Sequence, residues 1–532
     1  MSWPSNPLYP QFMMWPQPPV LPREMSASEP PPLKRGSHLV DLPPLTPGLA
    51  NRDSGLAELG VAMQQVNLLG EVASTQPSPK TSAEPDTSSI NRLPFELLSD
   101  IFILSLPPVD RSWMFGETID AHEGGYRDPD IPCHLRAPVV LTAVCTRWQA
   151  IATGTPHLWT RILVDDLCAP RQLHWTVLHL RYSGYLPLVL HIHTKFEDPP
   201  SARVALLQAL IPHAQRWRDL VLFANGLSLN DMRFLCAARA QSLASAKIHN
   251  ASIDVHEHFW AWAMSLPSLR RATLGLGHNI TALMNQAPGF WQELRDLSLM
   301  NGSCQTPKVL QLLRTCPRIE MLHVDCFDWA RRRNNNDDDL RVVQAMNLHT
   351  LLVVNRAHDT HTFFHHIHAP RLRHLAIDDS ARHSTAESRR QLWLAVAHML
   401  TRSGPRLKRL LYTGNEEQLM DLVKLDALRH LEELSAYRTG ATSRKLLDLL
   451  IIRSGQNYLP HLKDLSLGPT YGEKEAALDK MVLSRKGILQ VLQFLCLLHP
   501  IDLTVLKAAS ANWLAVYFGD TPYGWGSRSA SS

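Results

Sequence analysis

The chain has no two cysteines in a CxxC pair. Its eight, Cys133, Cys145, Cys168, Cys236, Cys304, Cys316, Cys326 and Cys496, are scattered over 532 residues. A chain of this length buries sizeable cores without disulfide staples, so the cysteines read as reduced core thiols. Long apolar runs are also missing. No segment reaches eighteen uninterrupted apolar residues, and proline repeatedly breaks the opening "MSWPSNPLYPQFMMWPQPPVLPREM". It therefore offers neither a signal-peptide apolar region nor a membrane span, and a cytosolic or nuclear protein with no membrane partner is expected. No sign of charge dominates: 53 basic and 49 acidic residues leave a formal +4. That balance argues against a nucleic-acid footprint.

Catalytic signatures are absent as well. There is no HExxH, Walker loop, GxGxxG or GxSxG elbow. The 26 histidines include "HIH" at 191–193 and "HDTHTFFHHIH" at 358–368, but no carboxylates or cysteines accompany them at zinc-ligand spacing. No catalytic residue, metal or cofactor is expected, and the chain reads as a binding protein rather than an enzyme.

What is present is 45% hydrophobic residues, enough for two to four domains. Residues 1–88 are rich in Pro, Ser and Thr and read as a disordered arm. Within it, 54–74 places Leu56, Leu59, Met63, Val66 and Leu69 on one helical face. This is either a short docking helix or a transient one in a linker. A compact unit opens at "INRLPFELL", where Pro94 suits a first helical turn and Leu97, Leu98, Ile101 and Phe102 follow at helical spacing. Pro107 and Pro108 stop it. Residues 109–137, containing "HEGGYRDPDIPC", lack periodicity and read as an insertion loop. A second helix is expected after Pro138, with Leu141, Val144, Cys145, Trp148, Ile151 and Ala152 in one stripe down to Gly154. "TPHLW" then turns Leu158 and Trp159 onto the same core before a strand-like "RILV".

The order LPxELL, IF, VCxRWxxIA and PxLW resembles the F-box, the helical motif that attaches F-box proteins to the Skp-type adaptor of cullin ubiquitin ligases. The insertion after Pro108 resembles the form found in fungal F-box proteins. The resemblance covers 89–165. It implies adaptor contacts among Leu93, Pro94, Leu97, Leu98, Ile101, Phe102, Leu141, Val144, Cys145 and Trp148, with Pro94 and its apolar neighbours the closest match.

From residue 166 to 525 the chain repeats. An apolar residue, another three positions on and a third two beyond recur with first positions Trp217, Leu243, Leu269, Leu294, Ile319, Leu348, Leu372, Leu407, Leu431 and Leu462. Successive starts lie roughly 24–35 residues apart, a period that resembles leucine-rich repeats. Proline stands two positions before five of these starts. Segments 307–316, 388–404 and 443–455 between them have helical apolar faces. Only Asn225 and Asn415 occupy the turn-capping position of that family, so a less regular α/β arrangement is the alternative. "RRRNNNDDDLR" at 331–341 reads as a solvated loop, and 526–532 as a disordered tail.

The expected fold is therefore α/β: a small helical F-box, then an irregular leucine-rich-repeat solenoid, preceded by a disordered arm. The resemblances imply the substrate-recognition subunit of an SCF-type ubiquitin ligase, binding the Skp adaptor, and cullin through it, by the F-box. A protein target would then meet outward strand positions of the repeats: Phe223, Met300, His323, Asp325, His374, Asp378 and Tyr437. A non-catalytic scaffold that binds the adaptor but delivers no target has the same signature.

Overall fold

The computed structural model describes residues 89–106, 137–164, 172–275, 280–304, 306–327, 341–355, 360–379, 385–404, 406–437, 444–468, 475–494, 508–510 and 513–518. The expected arm, insertion, 331–341 loop and tail lie outside the described residues, apart from Ala137 and Arg341. All described residues fall in one compact unit, Ala57–Ser532.

Its first part is helical. Helix α1, Phe95–Ser105, starts directly after Pro94, whose missing N–H leaves no unpaired donor, and Glu96 sits in the positive first turn. The single helix expected after Pro138 is instead two: α2, Ala137–Thr142, and α3, Thr146–Thr153. The break has a local cause. Cys145 is fully extended (φ −160°, ψ 167°), and its Sγ accepts the Trp148 N–H at 3.5 Å, so a residue expected inside the helix caps its start. Gly154 ends α3 as expected.

These helices and a 3-10 turn, Pro156–Trp159, enclose a core of Leu98, Phe102, Ile151, Ala152, Leu158 and Trp159. The Phe102 and Trp148 rings meet at 4.8 Å. Buried polar groups are paired: the Ser99 and Thr155 hydroxyls lie 3.0 Å apart, and Thr155 donates to the Ile151 carbonyl at 2.7 Å.

The rest is a parallel sheet whose strands follow chain order. They are β1 Arg161–Val164, β2 Leu188–Thr194, β3 Trp217–Ala224, β4 Ser245–His249, β5 Arg271–Gly275, β6 Asp296–Cys304, β7 Met321–Phe327, β9 Thr350–Val354, β11 His374–Asp378, β12 Arg409–Thr413, β13 Glu433–Tyr437, β14 Asp464–Leu467, β15 Val491–Phe494 and β16 Ala515–Phe518. A two-stranded parallel pair, β8 Val343–Gln344 and β10 Ile367–His368, stands apart. Helices connect successive strands. Two coincide closely with those expected from sequence, at Thr306–Thr315 and Ala386–Ser403, and a third, Arg444–Leu450, covers only the first part of the expected 443–455. Long parallel sheet and intervening helices make a mixed α/β architecture compatible with a repeat solenoid.

All ten expected repeats place a strand, and every residue of the ten apolar triplets is buried. The sheet extends further than the ten. Trp159–Ile162–Val164, Leu489–Leu492–Phe494 and Trp513–Val516–Phe518 carry the same triplet and supply β1, β15 and β16. β2 escapes the pattern because Pro187 occupies its first position, and a register shift follows Leu188.

Backbone pairing repeats as regularly as the side chains. The Arg270 carbonyl accepts from both Arg295 and Asp296, Arg295 from Glu320 and Met321, and Glu320 from His349 and Thr350. The same fork continues through His349, Arg373, Lys408, Glu432 and Lys463. Each repeat's entry into the sheet is thus set by the one before it.

Candidate binding surfaces

Helix α1 is apolar on two sides. Leu98 and Phe102 turn into the core and are 0% and 1% exposed. Leu97, Ile101 and Leu104, at i, i+4 and i+7, form a second stripe that is 50%, 41% and 82% exposed. Pro94 is exposed at its head. On the neighbouring segments Val140 and Val144 are also exposed. A helix apolar on both sides normally has both covered.

The ten residues matched to the F-box resemblance therefore separate into three groups. Leu98 and Phe102 are core; Leu93, Leu141, Cys145 and Trp148 are half-buried. Pro94, Leu97, Ile101 and Val144 remain exposed, and the break before α3 leaves Val144 facing solvent rather than within the expected stripe. Leu104 and Val140 join the exposed group; for Leu104 the sequence signal was its spacing from Leu97 and Ile101.

The sheet's second candidate surface is the face turned away from the main core. Register aligns His193, Phe223 and His249 in one row, and Gly275, Met300, Asp325, Val354, Asp378, Thr413 and Tyr437 in its continuation. His323 lies in the next row, with Ser298 and Leu352. His374 lies in the third, with Thr350 and Arg409. Six of the seven expected target positions thus share a face, and Tyr437 occupies a register position in the first row. Val189, Val221, Met300, Leu352, Val354, Ala376 and Leu411 on that face are buried yet belong to neither core cluster, which marks it as a layer of its own.

Exposure on this face differs from expectation. Phe223 and His374 are half-buried, but Met300, His323, Asp325 and Asp378 are buried. Like positions on adjacent strands stand about 4.8 Å apart, so side chains in interior columns shield one another. Polar ones bond along the row: the Ser298 hydroxyl lies 2.9 Å from His323 Nδ1, and Thr413 donates to Asp378. The Tyr437 side chain lies outside the described residues.

At the other end Phe223 is stacked between His193 and His249, with centroids 4.0 and 4.6 Å apart and planes within 26° and 21°. Burial, then the Lys195 and Lys247 ammoniums, lowers His193 to about 4. Burial and Lys247 lower His249 to about 2. His191 is lowered to about 4 by burial and His193. These imidazoles are neutral at pH 7, so the stack is an uncharged three-ring rack. "HIH" marks one of its histidines, His193, in sequence, but only register brings Phe223 and His249 beside it. A shallow depression adjoins it across β4–β7, lined by Lys247, Thr273, Ser298 and His323 among others.

Asp379, just past β11, has no sequence signal of its own. Its Oδ1 accepts the Asn355 amide at 2.6 Å, and the Thr360 hydroxyl fixes Asn355 at 2.6 Å. Burial raises its carboxyl to about 6 against the pull of Asn355 and Arg389. Among the described residues, no three His, Cys, Asp or Glu side chains are grouped to hold a metal ion, and no helix is long and apolar enough to cross a membrane.

No family model matches the chain, and no curated protein does. Among solved structures it is similar to a Bacteroides fragilis protein at 15% identity, over 54% of this chain and 76% of that one, with a TM-score of 0.32. At that level of superposition the match adds nothing to the architecture read from the strands.

Proposed function

We propose that residues 89–165 form an F-box and that the strands and helices beyond them are leucine-rich repeats, making the chain the substrate-recognition subunit of an SCF-type ubiquitin ligase. The observation that carries this reading is the two-sided α1. One side is consumed by the core through Leu98 and Phe102, while Leu97, Ile101 and Leu104 leave an apolar stripe for a Skp-type adaptor to cover. Covering the exposed part of such side chains contributes at most about 1.5–3 kcal/mol each, set against the cost of association.

The outward sheet face would hold a protein target through the His193–Phe223–His249 rack and its neighbours. The chain's contribution is then proximity: it raises the effective concentration of target lysines at a ubiquitin-loaded conjugating enzyme bound elsewhere in the assembly. The test is co-purification of the full chain with a Skp-type adaptor and cullin. Stable capture that Pro94→Ala with Leu97→Ala abolishes is expected; capture unchanged by the double substitution refutes the reading.

A further inference from the structure

We infer that the rim on which the strands begin carries, at β11 and β12, a binding surface for an acidic peptide segment, with Arg371, Arg373, Arg406 and Lys408 as its cations. The inference gives the protein target proposed above a chemical character, and it rests on that reading only for the target's fate. The surface itself is read without adaptor.

Two columns of side chains build this rim. In each repeat the first buried residue of the triplet, such as Leu372 or Leu407, is flanked by two residues nearer the surface. Those that follow it are the members of the backbone fork, among them Glu320, His349, Arg373, Lys408 and Glu432 in order. Those that precede it make the second column: Arg318 donates to Glu293 at 2.5 Å, Arg371 to Asn347 at 3.2 Å, and the His430 and His461 rings stack at 6.0 Å.

Toward both ends of the rim, acids neutralise bases. Arg295 lies 3.4 Å from Glu320, and Glu432 holds Lys408 at 2.9 Å and Lys463 at 3.0 Å. The alternation fails in the middle. Neither column has a carboxylate between Glu320 and Glu432, and among the described residues Arg371, Arg373 and Arg406 form no ion pair. All three are exposed. Like charges on neighbouring strands, about 4.8 Å apart, repel one another, so this cluster opposes the packing of its own repeats until an anion covers it. The ring beside Arg373 senses the same field: His374 is lowered to about 4 by burial and then by Arg409, Arg373, His349 and Lys408, cationic groups in every case.

A guanidinium binds a carboxylate through two parallel N–H bonds, and three unpaired ones from adjacent repeats suit two or three carboxylates in succession. The flanks decide what carries those carboxylates. Glu320 and Glu432 stand four strand spacings apart, about 19 Å, and close the basic window on both sides. A nucleic-acid duplex or an anionic membrane laid across the rim would be pressed against both acids. An extended peptide of about five residues, at about 3.4 Å each, fits between them.

The test is fluorescence anisotropy of the full chain with a labelled peptide of four consecutive glutamates set in Gly-Ser flanks, and with the same peptide bearing glutamines. Binding of the glutamate peptide alone is expected, weakened at least about fivefold when salt is raised from about 50 to about 300 mM. Arg373→Glu with Arg406→Glu should weaken it at least about tenfold, and Arg373→Gln with Arg406→Gln, which adds no acid beside Glu432, about fivefold. Arg233→Glu with Arg239→Glu, an equal change of net charge at exposed positions elsewhere, should stay within about twofold of the parent. No binding, equal binding of the glutamine peptide, equal loss in the Arg233 and Arg239 variant, or tighter binding of a DNA duplex or of phosphatidylserine vesicles through the same arginines would each overturn the inference. Peptide binding by a chain that never captures adaptor would uphold the surface and refute the ligase reading alone; adaptor capture without peptide binding would do the reverse.

Discussion

The Trp159 indole N–H donates to the Ala152 carbonyl at 2.7 Å, and the same ring packs on His179 and Tyr182 with centroids 5.1 and 4.9 Å away. One residue thus joins the last helix of the small core, the helix Gln172–Tyr182 and, two residues on, the first strand of the long sheet. Trp159 is both a member of the helical core and the first apolar position of the triplet that forms β1.

Trp159→Ala should therefore destabilise the helical unit and β1 together, by about 3–5 kcal/mol, the usual range for emptying a buried tryptophan site. Denaturant unfolding followed by hydrogen exchange reads this. Loss of protection in α1 and β1 at the same denaturant concentration is expected; loss in α1 alone would show that the two are not coupled.

The two sides of α1 should respond in opposite ways. Phe102→Ala empties a core site and should cost about 3–5 kcal/mol. Leu104→Asp changes an exposed position and should leave stability within about 0.5 kcal/mol while abolishing adaptor capture. Thermal melts paired with adaptor pull-downs separate the two effects.

Stability should fall on acidification from pH 6.5 to 4. His179, His191, His193 and His374 are lowered to about 4, chiefly by burial, and His249 to about 2. In that window the unfolded chain binds protons that the fold refuses, so the stability these neutral imidazoles contribute above 6.5 is lost as pH falls through their folded values. Asp379 has the opposite sign. Raised from 3.8 to about 6, it takes a proton in the fold first, and its contribution is complete below about 4 and lost as pH rises through 6. Asp379→Asn should thus steepen the acid dependence. Chemical denaturation at pH 4, 5, 6 and 7 measures the slope, and an unchanged or shallower slope in the variant contradicts this account.

Arg485 is buried, with its Nε donating to the Leu450 carbonyl and Nη1 to Leu459, both at 2.7 Å. It ties the end of the helix Arg444–Leu450 to the turn before β14. Burial lowers its pKa to about 10, so it stays charged at neutral pH. Arg485→Ala removes both bonds and should destabilise the C-terminal repeats by about 2–4 kcal/mol. Arg485→Lys should recover only part, because a single ammonium cannot reproduce the guanidinium fork. Limited proteolysis across 440–490 tests both.

Much of the repeat region was legible before any coordinates. The triplets from Trp217 to Leu467 are local patterns in which alternate residues of a strand must turn to the same side, so each could be read alone. Departures arose where one residue overruled the period: Pro187 hides β2, and the extended Cys145 divides the expected helix. The binding surfaces were less legible. Phe223 was an expected outward residue, but its stacking between two histidines from neighbouring repeats depends on a register that no local window contains.

The sequence by itself determined the repeat period, the inward side of nearly every strand and the apolar character of Leu97, Ile101 and Leu104, because these follow from side-chain spacing along a single element. Tertiary structure alone decided which side of α1 the core would take, that Met300, Asp325 and Asp378 would be buried on the outward face, and that Asp379 would hold its proton to about pH 6. Burial and pKa depend on what neighbouring strands and helices bring to within a few ångströms, and those neighbours come from distant parts of the chain.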